Sequence, residues 1–382
     1  MTVYWFMMAW VIFFGILAQV SARKVCVVEY LGEEVYEARA HLFMAVVTFA
    51  VIVFFAGMRS KVGDTTAYIK MFRDYPLLQN AHDVIFDSSA KEPGFRLLSI
   101  LIKTFISDNY NVWLSIIAII SGICVMFPLY KYSCNFGIST FLFMASCQFT
   151  WMFNGMRQFL VAAIMFSCTG LILKNKTLLY IIIVCILSTI HQSALILIPM
   201  YFIVKGEPWN KRTMLFIGCI VLAMIFTSRF TNLLTDVVEQ TDYASSVNEF
   251  KNTDDGTSII RILVESIPII LAFIYRDKIK DKLTPIIKLS INMSLIASGF
   301  YIISKIVNSG ILLGRLPIYF SMYNLTLLPW LLNNIFEDRE KNLIYYIMIL
   351  CYFLFFYYQM VITWKGLGYG SEVLNIKYML TQ

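Results

Sequence analysis

Apolar stretches long enough to cross a bilayer recur along the whole chain, separated by short polar turns. They fall near residues 2–20, 40–57, 110–130, 135–153, 156–173, 213–228, 259–275, 286–306, 316–336 and 343–364. A spanning helix needs about 20 mostly apolar residues, and the pattern predicts an all-α, polytopic integral membrane protein with about 10–12 transmembrane helices. No soluble insert interrupts the series, so residues 1–382 read as a single transmembrane domain.

Two segments break the rhythm. Residues 94–107 are short and carry Arg96 and Lys103, while 178–204 are long and hold His191-Gln192-Ser193 at their middle. The first is expected to lie along the outer interface, and the second to form a re-entrant hairpin folding back at His191. Broken backbone at membrane depth is tolerated only where it lines a cavity walled by protein or filled by water.

Lys and Arg mark the cytoplasmic side. They gather in 276–282 (Arg276, Lys278, Lys280, Lys282), 205–212, 337–341 and 21–39. Alternation then leaves 58–93 and 229–258 as outer loops, the only segments expected to carry extramembrane structure. Within 64–75, Asp64, Tyr68, Phe72 and Tyr75 share one face at helical spacing, which predicts an amphipathic helix at the interface.

Composition narrows the class. The chain is 59% hydrophobic and 14% charged, with a mean hydropathy of +0.71; a soluble domain carries roughly a quarter charged residues. The net charge of +7 comes without any basic block, so nucleic acid is not an expected partner and the bilayer is. The eight cysteines sit mostly in apolar runs without a C-x-x-C pair, and His41, His82 and His191 are scattered. Neither a disulfide frame nor a metal site is expected. No Lys or Arg precedes the first apolar run, so it reads as an uncleaved span rather than a signal peptide.

Ionisable side chains in or beside lipid are costly and default to a functional hypothesis. Arg157 opens an apolar helix after Asn154-Gly155-Met156. It could grip a phosphate with two parallel hydrogen bonds, or snorkel to headgroups. His191 would stand roughly 20 Å above the Lys176 turn at about 1.5 Å per residue, level with the start of the Arg157 helix. An imidazole there could act as a base or simply bond a neighbouring carbonyl. Arg315, in Gly314-Arg315-Leu316-Pro317, is a second phosphate ligand or an interface anchor. Arg261 and Glu265, spaced i, i+4, read as a structural pair, and Lys288 and Lys305 as snorkelling cations. Asp64 suits a helix N-cap as well as catalysis, and Glu92 before Pro93-Gly94 suits a turn.

Five elements of the chain, in order, resemble those of the EpsG family. They are Gly63-Asp64-Thr65-Thr66-Ala67-Tyr68 with Phe72; Glu92-Pro93-Gly94-Phe95-Arg96-Leu97-Leu98; Arg157-Gln158-Phe159-Leu160-Val161-Ala162; His191-Gln192-Ser193-Ala194-Leu195 with Pro199; and Arg315 with Tyr319-Phe320. Three positions depart from the pattern: Val161, Ile190 where an aromatic is usual, and Phe95 where tyrosine is commoner. None removes a polar side chain. Such proteins are similar in role to Wzy polymerases. The resemblance implies a bacterial inner-membrane glycosyltransferase that joins oligosaccharide repeat units carried on undecaprenyl diphosphate, facing the periplasm or outside. It implies His191 as base with Asp64 and Glu92 as rivals, and Arg157 and Arg315, with Gln158 and Tyr68, on the diphosphate. No cofactor is expected; a flippase and a chain-length regulator are expected partners. A lipid-linked oligosaccharide flippase or an O-antigen-type ligase is the alternative. A flippase would show internal repeats and charges through both leaflets, which this sequence lacks.

Overall fold

The computed structural model describes residues 1–30, 33–80, 92–226, 256–310 and 313–377. The expected outer loop 229–258 lies, apart from 256–258, outside the described residues, as do residues 81–91 of the first outer loop.

The chain forms two compact units, one of residues 1–195 with 336–382 and one of 196–335. In the first unit the helices are α1 (Thr2–Val20), α2 (Leu42–Met58), α3 (Thr65–Asp74), α4 (Pro93–Phe105), α5 (Tyr110–Tyr132), α6 (Phe136–Ala145), α7 (Met156–Ser167), α8 (Thr169–Leu173) and α9 (Thr177–Ser188). The second unit contributes α10 (Leu197–Val204), α11 (Lys211–Ile225), α12 (Ile259–Ile274), α13 (Pro285–Ile306) and α14 (Asn324–Ile335). The first unit closes with α15 (Asp338–Tyr357), continued as a π-helical stretch to Thr363. Among the described residues, four helices are long and apolar enough to cross a membrane unaided: Thr2–Val20, Tyr110–Tyr132, Pro285–Ile306 and Arg339–Thr363. The molecule is an all-α polytopic membrane protein, and its large exposed side chains, such as Phe13, Leu178, Ile186 and Leu215, are apolar.

Polar turn residues set several helix starts. Asn109 Oδ1 accepts from Asn111 N (2.8 Å), Asn135 Oδ1 from Ile138 N (3.0 Å), and Asn210 Oδ1 from Arg212 N (2.8 Å). Each satisfies a backbone donor that the helix itself leaves orphaned. Small residues allow close helix approach. A Cβ on Gly137 would come within 2.5 Å of the Gly15 carbonyl oxygen where α6 meets α1, and one on Gly57 within 2.9 Å of Ser115 Cα where α2 meets α5.

Three expected single spans are split. The runs 135–153, 156–173 and 316–336 each contain two helical pieces, broken near Cys147, Cys168 and Met322–Tyr323. Cys147 takes a left-handed φ of 63°. Its neighbourhood is fully buried, the setting in which interrupted backbone is tolerated. The expected break at His191 is present: α9 ends at Ser188 and a 3-10 turn, Gln192–Ile196, follows.

One reading is overturned. Extramembrane structure is expected only in 58–93 and 229–258, yet within the loop 21–39 Arg23–Tyr30 (β1) and Glu33–Arg39 (β2) pair as an antiparallel hairpin with an irregularity at Cys26/Val28. The valine-rich run Val25-Cys26-Val27-Val28 and the β-forming pair Val35-Tyr36, on either side of Leu31-Gly32, carry that signal.

Candidate functional site

The site is built where three chain breaks meet: the start of α4, the start of α7 and the turn after α9. An aromatic cluster fixes the first. Phe72 of α3 stacks on Trp113 of α5 (centroids 4.7 Å apart, 12° between planes), and Phe95 of α4 meets the same indole at 6.0 Å. Trp113 Nε1 donates to Ser99 Oγ (3.2 Å). Lys103 of α4 donates to the carbonyls of Phe72, Arg73 and Tyr75, placing a cation at the C-terminal end of α3 as the helix dipole favours. α3 is thus the predicted helix of 64–75, with Tyr68 and Phe72 buried, Asp64 exposed and Tyr75 half-buried.

Glu92 occupies the N-cap of α4 with a left-handed backbone, φ 60° and ψ 59°. That region is unfavourable for a residue with a Cβ, and a following proline restricts the backbone further. Such strain persists where the surroundings over-determine it. They do so here through the side chain. One carboxylate oxygen of Glu92 accepts from Arg157 Nη1 and the other bonds His191 Nδ1. The backbone adds a third tie, since Gly94 N donates to the Thr189 carbonyl at 2.9 Å.

Arg157 sits in the first turn of α7, after Gly155 at φ 81°. Glycine is needed there twice over, because a Cβ would also press to 2.9 Å from the Trp151 ring. The guanidinium donates from Nε to the Tyr68 hydroxyl (3.4 Å) and lies over the rings of Tyr68 (5.4 Å) and Phe95 (5.8 Å). Gln158, next along α7 and buried, donates to Ser193 Oγ (3.3 Å) just past His191. Side-chain exposure falls from 33% at Arg157 to 18% at His191 and 8% at Glu92. The carboxylate is the buried hinge; the cation and the imidazole are its more open partners.

Of the residues singled out from sequence, the structure gathers Glu92, Arg157, His191, Tyr68 and Gln158. Asp64 is exposed, caps α3 without a side-chain bond, and donates its backbone N–H to Asn154 Oδ1 at 3.4 Å. Arg315 lies half-buried in the second unit, before the helical turn Ile318–Ser321. Also in that unit, Arg261 and Glu265 form the expected i, i+4 pair at 3.8 Å, and Asn324 Nδ2 donates to Glu265 Oε2 at 3.2 Å. Lys288 pairs with Glu207 at 2.5 Å.

Two further residues beside the cluster were not singled out as candidates. Tyr75 is close enough for Arg96, Arg157 and Glu92 to act on its hydroxyl, which burial raises above the usual phenol range. Arg59, fully buried, donates from Nε to Thr65 Oγ1 (3.1 Å), from Nη1 to the Ala56 carbonyl and from Nη2 to Met156 Sδ (3.1 Å). Burial lowers it to about 10, while the nearby hydroxyls of Tyr369, Tyr68 and Tyr4 act in the opposite direction. It therefore remains a cation at neutral pH. In the sequence it closes an apolar run, where an arginine looks like an ordinary membrane-edge anchor.

Interrupted apolar helices around a buried carboxylate shared by a cation and an imidazole define a polytopic membrane protein with a polar site at its helix breaks. The EpsG family model matches residues 42–370, and the chain belongs to that family, a family of Wzy-like polymerases. It is therefore a polymerase-type membrane enzyme of polysaccharide synthesis. Comparison with curated proteins and with solved structures gives no match.

Proposed function

We propose that the protein joins undecaprenyl-diphosphate-linked oligosaccharide repeat units into a surface polysaccharide, at the outer face of a bacterial inner membrane. The observation carrying this reading is the Glu92 carboxylate held between Arg157 and His191. With its Nδ1–H hydrogen-bonded to the Glu92 carboxylate, His191 presents Nε2 as a base; a carboxylate on one ring nitrogen fixes the tautomer and raises the basicity of the other. Glu92 then acts as the positioning group, which favours His191 over Glu92 and over exposed Asp64 as the base.

The donor's anomeric carbon carries a diphosphate, which leaves readily once its charge is held. Two of the five guanidinium N–H groups of Arg157 serve Glu92 and Tyr68, and the others can serve the phosphate oxygens. In the reaction the acceptor hydroxyl passes its proton to His191 Nε2 and its oxygen bonds the anomeric carbon. The bond from that carbon to the diphosphate oxygen breaks, and undecaprenyl diphosphate departs. Arg315 is kept as a second diphosphate ligand, Gln158 as support for the His191 turn through Ser193, and a flippase and a chain-length regulator as partners.

The test supplies purified protein in lipid nanodiscs with a lipid-linked repeat unit and resolves the products by gel. A ladder that disappears in Arg157→Ala and His191→Ala supports polymerisation. Intact substrate moved between leaflets without coupling would establish the flippase instead, and transfer to a lipid core the ligase.

A further inference from the structure

On the face of α3 turned away from Arg157 lies a polar groove that the proposed reaction does not use. Its larger lobe, about 520 Å³, is lined by Arg73, Asp108, Asn109, Tyr110, Asn111 and Glu372. A smaller lobe of about 240 Å³ shares Arg73, Tyr110 and Glu372 and adds Thr66, Lys70 and Asp74. Small-molecule sites generally measure about 300–1,000 Å³, so the larger lobe alone is of binding size.

The C-terminal segment builds one wall. Gly370 N donates to the Lys61 carbonyl (2.9 Å) and Ser60 N to the Gly370 carbonyl (2.8 Å). Ser371 Oγ donates to the Met58 carbonyl (2.5 Å). This strap delivers Glu372, whose Oε2 accepts from the Tyr110 hydroxyl at 2.7 Å, while the Arg73 guanidinium covers the Tyr110 ring at 5.1 Å.

We propose that this groove binds carbohydrate: the part of the glycan that extends beyond the reacting sugar. Carboxylates and amide oxygens accept from sugar hydroxyls, and Arg, Lys and amide N–H groups donate to them; both sets line these walls. The two cations, Lys70 and Arg73, face three carboxylates, Asp74, Asp108 and Glu372. A phosphate or an anionic lipid surface would meet net repulsion, whereas a hydroxylated chain meets partners of both kinds. The groove is also within reach of the chemistry. Tyr68 touches Arg157 from one side of α3, and Thr66, Lys70 and Arg73 line the groove from the other, a separation of about one helix diameter, roughly 10–12 Å.

The identity of the glycan rests on the polymerase reading; the groove itself is tested without it. Full-length protein in nanodiscs is titrated, by saturation-transfer NMR, with oligosaccharides released by mild acid from the producing cells' surface polysaccharide. Wild type and Glu92→Gln are expected to bind, and Arg73→Ala, Asp108→Asn and Glu372→Gln to bind at least tenfold more weakly. All three altered side chains are exposed, and an unchanged thermal midpoint confirms folding. In the ladder assay the same variants are expected to form the first linkage at the wild-type rate and yield shorter products. Absence of binding by wild type, or binding indifferent to the three substitutions, overturns the groove even if a ladder forms. Binding lost in the variants while wild type forms no ladder upholds the groove and removes the polymerase. Loss in the variants of affinity for anionic vesicles alone overturns the carbohydrate assignment.

Discussion

Gly94 and Thr189 are bonded backbone to backbone at 2.9 Å, which sets Glu92, two residues before the one, beside His191, two residues after the other. A Cβ on Gly94 would fall 2.1 Å from Thr189 Oγ1, 2.9 Å from its Cβ and 3.0 Å from its carbonyl carbon, too near for either chain to stay in place. Gly94→Ala is therefore expected to cut polymerising activity at least tenfold while the protein still inserts and folds. Thr189→Ala in the same chain should restore part of it by clearing the side-chain clash. Equal activity in wild type and Gly94→Ala, measured as ladder yield, would mean that this contact does not position the site.

The Glu92–His191 bond makes a kinetic prediction. A positioned general base contributes typically 10²–10⁴-fold, and most of that is lost when its ring is free to turn or change tautomer. Glu92→Gln should lower kcat by about 10²-fold with little change in the KM for lipid-linked donor. Because Glu92 acts through His191, Glu92→Gln combined with His191→Ala should be no worse than His191→Ala alone. Additive losses in that double-mutant cycle would assign Glu92 an independent role.

Arg59 separates charge from stability. Thr65 Oγ1 keeps a partner without it, since it also donates to the Val62 carbonyl (2.6 Å). Burying a charge carries a desolvation cost that an apolar side chain of similar volume avoids. Arg59→Met is therefore expected to hold or raise the thermal midpoint in detergent. It should nonetheless slow polymerisation about tenfold, near 1.4 kcal/mol, by removing a fixed cation beside Tyr68 and Met156. A lower midpoint with unchanged activity would make Arg59 purely structural.

Much of this was legible in the sequence because the signals were local. Apolar run lengths gave the helices, and the polar triplet His191-Gln192-Ser193 inside a long run gave the break. The height of His191 above Lys176, counted at a fixed rise per residue, placed it level with Arg157. What was not legible depended on long-range geometry. Nothing local to Glu92 shows that Pro93 starts a helix whose cap reaches both Arg157 and His191. Arg59 looked like a membrane-edge anchor because burial by Met156 and Phe153, some 95 residues away, leaves no trace in its neighbours. Glu372, in a short polar tail, carried no hint that it would meet Tyr110.

The second unit holds a pair whose energetics can be read by difference. Arg261 and Glu265 are 11% and 2% exposed, so removing one leaves the other buried without its countercharge. Arg261→Leu is expected to destabilise by about 3–5 kcal/mol, and Arg261→Leu with Glu265→Leu to recover most of that loss. Thermal unfolding in one detergent checks both; a double variant as unstable as the single would show that Asn324 and its neighbours require the carboxylate itself.

The strap that ties Gly370 and Ser371 to residues 58–61 fixes the C-terminal segment to the same end of the first unit as α3. From Arg157, α7 and α8 lead to the Lys176 turn, roughly 25–30 Å distant at about 1.5 Å per residue. In a cysteine-depleted chain, a membrane-impermeant thiol reagent applied to intact cells is therefore expected to label Lys70→Cys and Lys377→Cys but spare Lys176→Cys. Lys70 and Lys377 must behave alike whichever way the protein is inserted, because main-chain hydrogen bonds hold their segments together; unlike labelling would contradict the fold. Labelling of Lys176 alone would leave the fold intact and turn the Glu92 site to the cytoplasm. A polymerase fed by outward-flipped lipid-linked units could not work in that orientation, since its acceptors and its base would stand on opposite sides of the bilayer.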